Sequence, residues 1–470
     1  MFLRPCFQTL IVASLLGGGL FGCSESGFES HFVESKVSSE LIDEARKGYD
    51  GHDGVSVVVE DHFGTPQDLR IWMKLPLNIG GTKGTIAEAP SGEGPVGSFV
   101  VKFETEVKGF EESSVPLQFL TGASAGTQAV VKTYSADSNV CRLVESIEGS
   151  LAVGDEVLLN GGEALRNGRK LYQRHCSHCH GTSGDGAGPT AVYMTPRPRD
   201  YRDGIFKFTR TPSLKEPARA DIERTLRQGI PGTYMPSFVP MLKDEELAQV
   251  IEYVRFLSMR GEYERKLAAE MTGFSKEEFA ERLEEEKRSE ILAELKETYV
   301  DYFADVVTGA GDEVAERWAA ADSVSSHVMP SVPRTPDSME SRRRGRELFV
   351  GATLNCINCH GISGQGNGPQ TTEYEIVDKK PRALPGLHDQ WGHLVKPRNL
   401  TTGIYRGGRR PIDIFRRLYS GINGAKMPAF GGKVKDEELW DVVNYVLSVP
   451  YDGVEPGAPA ASQDESTAGL

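Results

Sequence analysis

Cys176-Ser177-His178-Cys179-His180 and Cys356-Ile357-Asn358-Cys359-His360 decide how this 470-residue chain is read. Each is CxxCH, which sets two thiols on one turn with a histidine directly behind them. That spacing attaches a haem through both thiols and offers the histidine to the iron. The surroundings repeat as well. Cys179-His180-Gly181-Thr182-Ser183-Gly184-Asp185-Gly186-Ala187-Gly188-Pro189 aligns without a gap with Cys359-His360-Gly361-Ile362-Ser363-Gly364-Gln365-Gly366-Asn367-Gly368-Pro369. The repeating unit is therefore a haem site, present twice.

Outward from each motif, residues 164–174 and 342–350 predict an opening helix, and residues 244–258 and 436–447 a closing one. Leu247, Val250, Ile251, Val254 and Leu257 follow helical spacing in the first closing segment, and Leu439, Val442, Val443 and Val446 in the second. Asp244, Glu245 and Glu246 place negative charge at the positive end of the first. Gly168 and Tyr172 answer to Gly345 and Phe349, and Tyr253 to Tyr445. A glycine facing a bulky aromatic lets helices cross closely, so opening and closing helices are expected to pack together.

The chemistry of such a haem depends on the far side of its iron. Methionine there raises the potential and fills the site, whereas an open position allows catalysis. Beyond His360 the chain has one methionine, Met427, in Lys426-Met427-Pro428-Ala429-Phe430; the first repeat has Tyr234-Met235-Pro236-Ser237-Phe238. Met235 and Met427 each lie 14 residues after an aspartate (Asp221, Asp413) and eight before a lysine (Lys243, Lys435). Core packing gives a methionine no reason to recur in this way, so both are expected as iron ligands opposite His180 and His360. Met194, Met241 and Met259 have no counterpart in the second repeat. His388 and His393, in a segment the first repeat lacks, are the rivals of Met427 and would lower that haem's potential. His175 and His178 are expected to point away from the iron.

These features resemble class I cytochromes c over two blocks. The resemblance implies one covalently bound haem c per block, held by Cys176 and Cys179 and by Cys356 and Cys359. It also implies that the prolines after the motifs, Pro189 and Pro369, offer backbone carbonyls to the ring nitrogens of the ligating histidines, which fixes the imidazoles. Pro198-Arg199-Asp200 and Pro397-Arg398-Asn399 recur, each followed by a Gly-Ile pair. Arg199 and Arg398 read either as haem propionate partners or as surface arginines. A 19-residue excess between Pro369 and Pro397 departs from the pattern.

The expected fold class is mainly α: two class I cytochrome c-like haem domains, a small β-rich N-terminal module, and a charged helical insert between the haem domains. Residues 1–22, with Arg4 before an apolar run too short for a comfortable membrane span, read as a secretory signal. Leu20-Phe21-Gly22-Cys23 resembles a bacterial lipobox, which implies a lipid on Cys23; ordinary signal cleavage is the alternative. Residues 23–39 read as a flexible tether, and residues 40–162 as a region whose later part, 98–159, is a β module rich in β-branched and aromatic residues. Val55-Ser56-Val57-Val58-Val59 has the same character. The first haem domain covers 163–260 and the second 341–450. Between them, residues 261–340 hold the insert and a proline-containing linker; Leu283, Ile291, Leu295 and Tyr302 form a weak apolar stripe. The insert fits a packed hairpin or a partner-binding arm, with packing expected. Residues 451–470 read as a disordered tail. Of seven cysteines, Cys141 alone is unassigned and fits a buried apolar position better than a reactive thiol. His52 and His62 are expected at the surface.

A net charge of −14 argues against nucleic acid and fits docking onto a basic protein face, or solubility alone. The expected function is transfer of single electrons on the periplasmic side of a bacterial membrane. Its partners would be a quinol-oxidising complex or dehydrogenase and an acceptor such as a terminal oxidase. The alternatives are a di-haem enzyme of peroxidase or thiosulfate-oxidising type with an exchangeable ligand, and the electron-transfer subunit of a specific dehydrogenase. No catalytic side chain is expected for the carrier.

Overall fold

The structure, a computed structural model, describes residues 31–34, 54–90, 94–271 and 288–451. The expected signal, Cys23, His52, Leu283 and all but the first residue of the expected tail lie outside these residues. The described part begins with His31 to Glu34, which is fixed against the first haem domain. Phe32 packs against Phe256, ring centroids 6.3 Å apart, and beneath the Arg260 guanidinium. The Val33 amide donates to Ser183 Oγ at 2.8 Å, and Arg202 Nη1 donates to the carbonyls of Val33 and Glu34. This corrects the expectation of a tether running freely to residue 39: a buried aromatic ring holds it in place.

Helix α1, Gly54–Phe63, carries the valine run that reads as strand. Val55, Val59 and Phe63 recur every four residues, are buried, and Phe63 lies 5.4 Å from Phe256. β-Branched residues lose only tenths of a kcal/mol in a helix, about 0.7 at most, so burial of this stripe decides. Strands β1 (Thr82–Glu88), β2 (Val96–Phe103), β3 (Val115–Phe119), β4 (Gln128–Ser135), β5 (Val140–Ile147) and β6 (Glu156–Leu159) form a closed barrel in the order β1-β2-β5-β4-β3-β6. The module therefore starts at Thr82, earlier than residue 98, because β1 closes the ring between β2 and β6 and leaves no free edge. Ile86, Val101, Phe119, Val131 and Val157 fill its interior. Cys141 lies among them, its thiol pushed up to about 12 by burial.

The longer helices that follow among the described residues are α2 (Glu163–His175), α3 (Arg219–Gln228), α4 (Asp244–Met271), α5 (Arg288–Asp322), α6 (Met339–Val350), α7 (Pro411–Ser420) and α8 (Asp436–Ser448). In each haem domain the opening helix crosses the closing one at its glycine. A Cβ on Gly168 would lie 2.1 Å from the Gln249 carbonyl oxygen, and one on Gly345 2.0 Å from that of Asp441. Tyr172 meets Tyr253 edge to face at 5.2 Å, and Phe349 meets Tyr445 at 5.3 Å. Helix α4 does not end near residue 260. It continues to Met271, and α5 runs antiparallel along it through Lys266–Glu313 (2.6 Å), Trp318 Nε1 donating to Glu262 (2.9 Å) and Arg255–Asp322 (3.0 Å). Burial, and after it Glu216, hold the Glu262 carboxyl up to about 7.

The haem domains touch each other directly. Arg224 pairs with Asp413 across the interface at 2.7 Å, the Leu214 amide donates to Asn423 Oδ1 at 3.0 Å, and Ser420 Oγ donates to the Thr211 carbonyl. Among the described residues no helix is long and apolar enough to cross a membrane.

Candidate haem sites

The first opening helix runs directly into its attachment motif and the second reaches its own after five residues, 351–355; the chain then makes one further turn, Ser177–His180 or Ile357–His360. The Cys176 carbonyl accepts from the amides of Cys179 and His180 at 3.1 and 2.9 Å; that of Cys356 accepts from Cys359 and His360 at 3.3 and 2.8 Å. Both thiols and the imidazole thus project from one short turn. His180 Nδ1 lies 3.3 Å from the Arg199 carbonyl oxygen and His360 Nδ1 3.1 Å from that of Arg398. An Nδ1–H donated there fixes the tautomer and leaves Nε2 for a metal. Burial lowers His180 to about 4 and lowers His360 as well, against the opposing pull of these carbonyls, so both rings are neutral near pH 7.

The carbonyl acceptors are therefore Arg199 and Arg398, and not Pro189 and Pro369. The chain passes so close behind the attachment turn that a Cβ on Gly188 or Gly368 would lie 2.4 or 2.3 Å from a carbonyl of that turn. This carries the next residue, the proline, to the outside, where Pro189 and Pro369 are exposed.

The two methionine loops have the same bonding. The Ile230 amide donates to the Met235 carbonyl at 3.0 Å and the Ile422 amide to that of Met427 at 3.1 Å. Phe238 and Phe430 donate to Leu226 and Leu418, both at 2.9 Å. Both methionines line the cavity that holds the histidines and the four motif cysteines. Met194 and Met241 also line it, from outside the repeated loop, while Met259 is buried in the core of the first domain. His388 is buried with Nδ1 3.4 Å from Glu375, and His393 is exposed beside Asp389; neither lines the cavity. His175 and His178 also line it. His62 is half-buried, stacked on Trp72 at 4.2 Å, rather than free at the surface, because the chain around Trp72 folds back over α1.

That cavity is continuous between the domains, with a volume of about 870 Å³. Its walls are apolar, with Leu226, Phe238 and Val254 on one side and Leu418, Phe430 and Val442 on the other. Nine Lys and Arg side chains line it against one carboxylate, Asp221, in a protein of net charge −14. Arg199 is pressed down to about 9 and Lys207 to about 7, in both cases chiefly by burial; Arg417 is lowered to about 10 for the same reason. Nη1 and Nη2 of Arg199 and Nε of Arg406 are buried without a hydrogen-bond partner. Unpaired buried cations call for anions. Thiols, apolar walls and surplus cations together fit haem groups with their propionates. Arg199 is thus no plain surface arginine. Lys207, Arg406 and Arg417 were not singled out from the sequence, although Lys207 and Arg406 occupy the same place after the recurring Gly-Ile pairs (Gly204-Ile205, Gly403-Ile404).

A CxxCH turn beside crossed terminal helices, sharing a cavity with a methionine loop, defines a cytochrome c domain. Residues 163–254 match the family model described as cytochrome c oxidase, cbb3-type, subunit III, and residues 343–450 match that described as cytochrome c. The protein is a di-haem c-type cytochrome, an electron carrier with two covalently bound haem c groups. No curated protein matches the chain. Among solved structures it is similar to a chain of the Kuenenia stuttgartiensis reducing HAO-like protein complex Kustc0457/Kustc0458. The identity is 26%, over 60% of this chain and 95% of that one, with a TM-score of 0.40.

Proposed function

We propose that the protein is a lipid-anchored carrier on the periplasmic side of a bacterial membrane, taking single electrons from a quinol-oxidising or dehydrogenase complex and delivering them to an acceptor such as a terminal oxidase. The haem irons supply the redox change; the chain supplies ligands, burial and docking. His180 with Met235, and His360 with Met427, would hold the two irons. Cys176, Cys179, Cys356 and Cys359 are the attachment residues, and Arg199 and Arg398, which line the same cavity, would offer charge to the haem propionates. The observation that carries this reading is the pair of matching methionine loops on one cavity. Two filled coordination spheres suit consecutive electron stations and leave neither iron a free position for substrate. The arginines and lysines of the cavity wall would hold the negative charge of the haem propionates inside the protein. The apolar start and Leu20-Phe21-Gly22-Cys23 support export and lipidation at Cys23. A spectroelectrochemical titration, repeated under carbon monoxide, tests the carrier reading. Two high-potential one-electron components without a carbon monoxide shift are expected; a haem that binds the gas in the native protein would overturn it.

A further inference from the structure

Arg199 and Arg398 each serve two sites. The Arg199 carbonyl faces His180, but its guanidinium stacks on Trp391 of the second domain, 3.8 Å from the ring centroid. There it lies so close to Gly424 that a Cβ on that residue would sit 2.7 Å from Nη1. Gly424 is three residues before Met427. Arg398 repeats the arrangement in reverse. Its carbonyl faces His360, while its guanidinium lies against Gly232 of the first domain, where a Cβ would sit 3.0 Å from Nη1. Gly232 is three residues before Met235. Each arginine therefore spans from the histidine loop of one site to the methionine loop of the other.

We propose that the two arginines are positioning residues in trans: Arg199 sets the methionine loop and local field of the second haem, and Arg398 those of the first. This rests on Met235 and Met427 being iron ligands. A fixed cation in a poorly screened wall favours the less positive, reduced iron, so its removal lowers the potential of the haem it faces. The two contributions are unequal. Arg199 has both terminal nitrogens buried and unpaired, whereas Arg398 spends Nε on the Ile404 carbonyl and no nitrogen of it is left buried without a partner. Arg199 therefore carries the larger effect.

The test uses the full-length di-haem protein. Met235→His and Met427→His each lower one redox component and so assign it. Arg199→Gln is then expected to shift the reduction equilibrium of the second haem tenfold or more towards oxidation, about 59 mV for a one-electron couple, with a smaller change at the first. Trp391→Leu removes the seat of the guanidinium and leaves the Arg199 carbonyl in place. It is expected to shift the second haem the same way, and the two substitutions together to fall short of additivity. Arg199→Lys, which keeps the charge, should restore part of the shift. A change confined to the first haem, or none in either component, overturns the proposal. If Arg199→Gln does not fold, Trp391→Leu and Arg199→Lys decide by the same criterion. The methionine–iron charge-transfer band of the unaltered protein separates the two levels. Its absence at either haem defeats the ligand assignment; its presence at both, with Arg199→Gln acting only on the first haem, defeats the trans role alone.

Discussion

Replacement of Arg224 by alanine tests how the haem domains are held together. The Asp413 side chain is 2% exposed and accepts from Arg224 of the first domain at 2.7 Å and from Arg410 of its own domain through two bonds of 2.9 Å. Burial works to raise the Asp413 carboxyl, but Arg410, Arg224 and Arg417 outweigh it and hold the group below the ordinary carboxylate range. Arg224→Ala removes the bond that crosses the interface and leaves Arg410 in place. The cost is thus that of one charge-assisted hydrogen bond, about 2 kcal/mol, and less than that of a fully orphaned buried charge. That is about a thirty-fold increase in the open population. The amide of Leu214, whose acceptor Asn423 Oδ1 lies in the other domain, reports it by hydrogen exchange. Its exchange should quicken about thirty-fold. Arg227→Ala, whose partners Glu223 and Asp244 belong to the first domain, should leave it unchanged. Because the Asp413 carboxyl is depressed, its contribution is present above its unfolded value near 4 and is lost as pH falls through the folded value. An unaltered Leu214 rate in Arg224→Ala would refute the reasoning, since the domains would then be held by other contacts.

Met235→Ala should leave the first haem with a position that binds carbon monoxide while the second still refuses it, read from the reduced spectrum under the gas. If Met194 or Met241 fills the gap instead, no such binding appears. Gly345→Ala brings a Cβ to 2.0 Å from the Asp441 carbonyl oxygen. Overpacking of about 3 kcal/mol, offset by about 1 kcal/mol of helix preference, leaves the second domain destabilised by about 2 kcal/mol. Thermal melts followed at each haem should show the second domain, and not the first, melting earlier. For Glu262, a folded value raised to about 7 means that the unfolded chain releases its proton first, so stability falls as pH rises from about 4.3 to 7 and stays low above. Glu262→Gln should therefore raise the melting temperature at pH 8 and lose its advantage near pH 4; an equal gap at both would contradict the assignment.

The haem domains were legible because their signals are local and occur twice. CxxCH fixes a turn by spacing alone, and the glycines at 168 and 345 recur because only hydrogen fits under the neighbouring carbonyl. What was missed depends on contacts between distant parts of the chain. Val55 to Val59 has strand composition, yet α4 supplies the surface that makes a helix profitable. Phe32 looks like one residue of a polar leader until Phe256 and Arg260 are brought beside it. The carbonyl partner of each histidine lies one residue past a second proline, and the family pattern, carried over by position, pointed to the first. Nothing local distinguishes the Arg199 side chain from that of a surface arginine, since its seat, Trp391, lies in the other domain and in a segment without a repeat counterpart.

If Cys23 carries the proposed lipid, the pinning of Phe32 sets how far the haem domains can stand from it. An anchor at Cys23 would be separated from His31 by eight residues, a reach of at most about 28 Å fully extended, whereas a free chain to residue 39 would reach about 56 Å. With such an anchor the first haem domain would work within about one domain's width of the bilayer.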